Sequence, residues 1–105
     1  MVKIDSLASP QLVEAVLAWT GWGRDAAPRR DDSFLIEQVG AEMAALLLPA
    51  IKSLETDFYT STARFVAADL QEMERLSVEQ FRKKHPSLPD EISRAFAWCY
   101  TFDFK

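Results

Sequence analysis

From Ser33 to Tyr59 the chain reads SFLIEQVGAEMAALLLPAIKSLETDFY, and the spacing of its apolar residues decides the fold class. Ile36, Val39, Met43, Leu47, Ile51, Leu54 and Phe58 recur at steps of three and four, the period that lines one face of an α-helix. Ala44, Ala45, Leu46, Leu48 and Ala50 make the middle of the stretch apolar almost all round, as expected of a central helix surrounded by others. Pro49 lies in that middle. It lacks a backbone N–H and crowds the preceding turn, so a kink is expected there.

Upstream, Asp31, Asp32 or Ser33 supplies the helix cap, with acidic charge where the helix dipole favours it. A first helix is expected from Pro10 to about Thr20. Ser9 caps it, and Pro10 loses nothing at a position whose N–H would be unpaired. Leu12, Val13, Val16, Leu17 and Thr20 form its inner face, Gln11, Glu14 and Ala18 its outer face, and Gly21 its stop. Downstream, Tyr59 to Thr62 contains no strong helix former, so a break is expected with Ser61 or Thr62 as the next cap. The helix that follows carries Phe65, Val66, Leu70, Met73, Leu76 and Phe81 inward and ends on cationic Arg82, Lys83 and Lys84. HPSLPDE, His85 to Glu91, closes it and opens a fourth helix that buries Ile92, Ala95, Phe96 and Cys99. In the tail, Tyr100, Phe102 and Phe104 alternate with Thr101, Asp103 and Lys105, a period of two that predicts an extended segment.

The expected architecture is therefore a single all-α domain over residues 1–105. It is a compact bundle of about four helices with a kinked central helix and an extended aromatic C-terminal tail. The alternative is α+β, with FYTSTARFV and CYTFDF pairing as a small two-stranded ribbon. Only three glycines and five prolines among 105 residues favour helices over a turn-rich β architecture.

Composition excludes some functions. Twelve Lys and Arg against sixteen Asp and Glu give a net charge of −4, so a field that draws nucleic-acid phosphates is absent and no nucleic-acid partner is expected. With one cysteine and one histidine there is no internal disulfide and no Cys/His cluster for zinc, and neither metal nor cofactor is implied. MVKIDSLASPQLVEAVLAW lacks the apolar core of a signal peptide because Asp5, Pro10 and Glu14 interrupt it. MAALLLPAI is far short of the roughly 20 residues that span a bilayer. The expectation is a soluble, cytoplasmic protein with no membrane role.

TGWGRDAAPRRDD, Thr20 to Asp32, is the least ordinary stretch. Gly21 to Ala26 fit G-x-G-x-x-A, and Glu42 stands some 20 residues on, as in a dinucleotide-binding turn. That turn requires a strand before the glycines and a helix after them. Here a helix precedes it and Pro28, Arg29 and Arg30 follow, so the match is accidental. Two readings remain. Trp22, Arg24, Arg29 and Arg30 form a partner- or anion-binding surface, since Trp and Arg are enriched at hot spots and Arg holds anions bidentately. In the plainer reading Trp22 folds back beside Trp19 and the arginines pair with Asp25, Asp31 and Asp32, and this one is favoured.

Other chemistry-bearing residues have ordinary roles available. His85 sits at a helix end, where the dipole welcomes positive charge, and Cys99 belongs to an aromatic packing face, so a Cys-His dyad lacks support. Glu42 would need a partner such as Arg64 or Arg94 if buried, but it fits the narrow polar edge of its helix beside Gln38. AFAWCYTFDF, Ala95 to Phe104, places five aromatics in ten residues. One helix cannot hide them all on a single face, so Trp98, Phe102 and Phe104 are candidate interface residues.

No catalytic residue is assigned. The functional expectation is a small acidic, non-enzymatic binding protein that acts by protein-protein interaction, as an immunity- or antitoxin-type inhibitor or a regulator does. One alternative is an anion-binding domain or small enzyme with Arg29 or Arg30 on the substrate and Glu42 as base. Another is a subunit of a homo-oligomer whose exposed rings complete a neighbouring core.

Overall fold

The structure, a computed structural model, describes residues 10–105. It is all-helical, with α1 over Pro10–Thr20, α2 over Asp32–Val39, α3 over Ala41–Tyr59, α4 over Ala63–Val66, α5 over Leu70–Lys84 and α6 over Asp90–Asp103. Among the described residues there is no strand, so the ribbon alternative falls away. α6 packs against α5, α1 and α3, and α3 also meets α1, α2 and α5, around a shared apolar core.

α1 starts at Pro10 as expected, while its expected cap, Ser9, lies outside the described residues. Leu12, Val16 and Thr20 are buried and Val13 and Leu17 partly so, but Ala18, expected outside, is buried too. The buried Thr20 hydroxyl is satisfied by donating to the Val16 carbonyl at 2.8 Å. Gly21 ends the helix at φ 85°, donating to Leu17 at 2.9 Å. The turn tightens at once, since the amides of Arg24 and Asp25 both donate to the Gly21 carbonyl.

Asp31 is the cap of α2, its carboxylate accepting from the Phe34 amide at 3.0 Å. The long periodic stretch is then divided at Gly40, whose φ of 89° and ψ of 155° belong to a region open only to glycine. The division changes what is buried. Leu47, Ile51, Leu54 and Phe58 are buried as expected and Met43 and Val39 half-buried, but Ile36 is 45% exposed.

α3 runs through Pro49 as one bent helix. Pro49 and Ala45 both face solvent, so water can reach the carbonyl that the proline leaves without a partner, and the helix bends around the core. α3 is not enclosed on all sides. Ala45 and Leu46 are exposed, because the helices packed against α3, namely α1, α2, α5 and α6, leave that side uncovered.

The expected third helix is also two pieces. Thr62 stands at the N-cap of the single turn α4 without a side-chain cap bond, and the preceding Ser61 hydroxyl accepts from the Ala63 amide and donates to Gln80. Ala67 is extended, and Asp69 starts α5 by accepting from the Glu72 amide at 2.8 Å. An uninterrupted helix would have carried Phe65, Val66 and Leu70 inward with Met73. The elbow between α4 and α5 leaves them 72%, 64% and 46% exposed instead.

The tail corrects the expectation of an extended segment, because α6 continues to Asp103. Tyr100 is fully buried while Phe102 and Phe104 are more than a third exposed, so the three do not share one side. The reason is tertiary. Tyr100 fills the core and its hydroxyl donates to the Ser61 carbonyl, fixing a helical register that the alternating sequence does not signal.

Candidate functional site

The loop Gly21 to Asp31 does not gather its arginines into one anion site. Arg24 lies over the Phe34 ring at 3.9 Å and donates to Asp25 at 2.8 Å. Arg29 is exposed, with a loose contact to Asp31 at 3.6 Å. Trp22 is half-buried against the core. Trp19 beside it is buried and donates from its indole to Asp32 at 2.7 Å.

Arg30 leaves the loop altogether. With φ at 53° it reaches across to α3 and α6, donating to Glu55 at 2.5 Å, to the Tyr59 hydroxyl at 2.7 Å and to Asp103 at 2.9 Å. Tyr59 in turn donates to Asp103 at 2.5 Å. Burial opposes the Arg30 charge, but the bond to Glu55, the Tyr59 and Glu55 charges and the bond to Asp103 outweigh it and raise its pKa further. Burial, with Asp103 second, raises the Tyr59 pKa against the opposing Arg30. Both groups therefore hold fixed protonation states, which suits a clamp and not a proton relay.

Cys99 is buried beneath this cluster. Burial first, then Glu55 and Asp103, push its thiol up to about 12 against the pull of Arg30, so it is an inert packing group near neutral pH. His85 caps α5, binds Asp57 at 3.0 Å and rests on Phe81. No hydrogen bond joins it to Cys99. Glu42 is exposed. Its candidate partners are elsewhere, with Arg94 on Asp90 and Arg64 among aromatic rings, so neither Arg30 nor Glu42 has the arrangement that an acid-base site needs.

A hollow of about 210 Å³ lies between α3 and α5, floored by Phe58 and Phe81 and rimmed by Asp57, Thr60, Gln80 and Lys84. Ligand cavities usually start near 300 Å³. The rim groups bind one another, Lys84 to Thr60 and Gln80 to Ser61 and Thr62.

Among the described residues, the exposed large apolar side chains other than Ile36 and Leu46 lie where α4 turns into α5 and where α6 finishes. Tyr59, Tyr100 and Phe104 stack in sequence, with ring centroids 5.4 Å and 4.9 Å apart. The Tyr100 hydroxyl accepts from the Arg64 amide at 3.0 Å, pinning α4 to α6. The Arg64 guanidinium is 4.6 Å from the Phe65 ring centroid and 4.4 Å from that of Phe104. Phe65, Val66 and Leu70 then extend the aromatic edge along the elbow.

Of the expected interface rings, Phe104 belongs to this surface. Phe102 is exposed with the Lys105 ammonium over it at 4.2 Å, and Trp98 is half-buried. Sequence reasoning missed Phe65, Val66 and Leu70 by continuing the helix through them. The signal was present in DLQE, Asp69 to Glu72, an acidic cap with a glutamate three residues on, which marks a helix start.

No family model, curated protein or solved structure matches this chain. Among the described residues no helix is long and apolar enough to cross a membrane.

Proposed function

We propose that this is a small, acidic, non-enzymatic protein that acts by binding protein through the α4–α5 elbow and the end of α6. The observation that carries the reading is Phe65, 72% exposed on a turn tied down by Tyr100 and Ser61. A large ring held out on a fixed backbone loses little entropy on docking, and apolar patches framed by polar residues mark contact surfaces. The mixed aromatic and arginine content matches the side chains that dominate hot spots. A free, buried thiol fits a reducing compartment such as the cytoplasm. Occlusion of a target, as an immunity- or antitoxin-type inhibitor or a regulator does, is the mode of action this surface serves.

The test is affinity capture with immobilised wild-type chain and with the double variant F65D/V66D, comparing the bound proteins by mass spectrometry. Both positions face solvent, so the variant is expected to fold, which circular dichroism checks. The reading expects a stoichiometric protein held by the wild type and lost by the variant. Identical captures from the two would overturn it.

A further inference from the structure

We infer that the elbow docks a second copy of this chain, in a two-fold pair in which Arg64 of each copy meets Glu74 of the other across an apolar centre of Phe65, Val66 and Leu70. The inference rests on the elbow being a contact surface, as proposed above, and names its occupant.

The charges on the surface make the argument. Arg64 stands at the Phe104 side of the patch. Among the described residues it has no ion pair, and its guanidinium makes a single long hydrogen bond, to the Tyr59 carbonyl at 3.4 Å. The guanidinium is flanked by the Phe65 and Phe104 rings, and its planar fork of N–H groups suits a carboxylate. Glu74 stands one helical turn beyond Leu70 on the same face of α5. It is exposed and, among the described residues, has no ion pair either, although its neighbour Arg75 contacts Glu79 at 3.3 Å.

One patch thus carries an unmatched cation, an apolar centre and an unmatched anion in chain order. A two-fold interface requires this self-complementarity, because every contact between position i and position j is made twice. The exposed side chains offer on the order of 400 Å² per copy, below the roughly 800 Å² of a tight complex. The pair is therefore weak and transient.

The experiment is analytical ultracentrifugation of the full chain from roughly 5 to 500 µM, high enough to populate a weak pair. The wild type is expected to pass from one chain to two, and F65D to remain monomeric throughout. R64E places like charges at both contacts and so does E74R, so each alone should weaken association by at least about tenfold. Mixed one to one, these two variants restore opposite charges at both contacts and should pair at the wild-type concentration. Asp69 is left untouched because it caps α5.

A chain that stays monomeric at every concentration overturns the inference and leaves Phe65-dependent capture of an unlike protein standing. A dimer that survives F65D, or a mixture that pairs no better than its components, also overturns it. If F65D fails to fold, the charge-reversal mixture decides alone, since both of its changes lie on exposed or surface-framed side chains.

Discussion

Replacing Arg30 by alanine tests whether one side chain holds the loop, α3 and the end of α6 together. The guanidinium makes three hydrogen bonds, to Glu55, Tyr59 and Asp103. A shielded hydrogen bond to a charged group contributes about 1.5–3 kcal/mol, and an exposed pair well under about 1 kcal/mol. The side chains of Arg30, Glu55 and Asp103 are 31%, 22% and 34% exposed. Discounted for that exposure, the three bonds together contribute about 2–3 kcal/mol. Alanine keeps the left-handed backbone at φ 53° without the bonds that offset its strain. Glycine relieves that strain, so Arg30→Gly should be less damaging than Arg30→Ala by about 1 kcal/mol. For a chain of this size the alanine variant corresponds to a melting temperature lower by about 10–20 °C. Urea unfolding at neutral pH, followed by far-ultraviolet circular dichroism, measures both variants. A loss below about 0.5 kcal/mol for Arg30→Ala, the range of ordinary surface substitutions, would refute the clamp. So would a glycine variant weaker than the alanine one.

Three further outcomes are expected. Gly21→Ala and Gly40→Ala should both destabilise, since both glycines have positive φ; at Gly21 a Cβ would also lie 2.3 Å from the Asp25 carboxylate, whereas nothing lies within 4 Å at Gly40, so adding Asp25→Ala should recover part of the loss in urea midpoint at Gly21. Cys99 should resist thiol reagents at pH 8 until the chain unfolds. Its folded pKa is raised from 9.0 to about 12, so the stability it contributes is complete below pH 9 and is lost as pH climbs towards 12; Cys99→Ala should flatten that part of the stability profile, and equal slopes would contradict the assignment. Asp69→Ala should cost about 1 kcal/mol by uncapping α5 while Asp69→Asn stays within a few tenths, and equal losses in the two would show that charge, not the cap, is the contribution.

Much of the helical framework is legible in the residues alone. Pro10, Gly21, Asp31 and His85 mark boundaries by local chemistry, namely a missing N–H, a permitted left-handed φ, a side-chain acceptor for free amides and a helix end. Leu47, Ile51, Leu54 and Phe58 announce the buried face of α3 because 3.6-residue periodicity is a property of the chain itself. Where local signals competed, periodicity misled. It ran through Gly40 and through Ala67 to Asp69, since spacing tests only which residues would share a face if a helix continued.

The candidate surface was decided at the tertiary level. Arg30 looks in sequence like its neighbours Arg24 and Arg29, yet it alone reaches Glu55 and Asp103, 25 and 73 residues away. Phe65 carries no mark that separates it from the buried Phe81. Its exposure follows from the elbow, and the elbow holds because Tyr100, 36 residues on, accepts the Arg64 amide. Tyr100 itself, alternating with Phe102 and Phe104, read as extended and became helical once its ring filled the core. Sequence therefore determined where α1, α2 and α6 begin and which stripes of α1, α3 and α6 are buried, because those follow from bonds and side chains within a few residues. Which arginine clamps and which aromatic remains outside depend on contacts between residues far apart in the chain, and those exist only after packing.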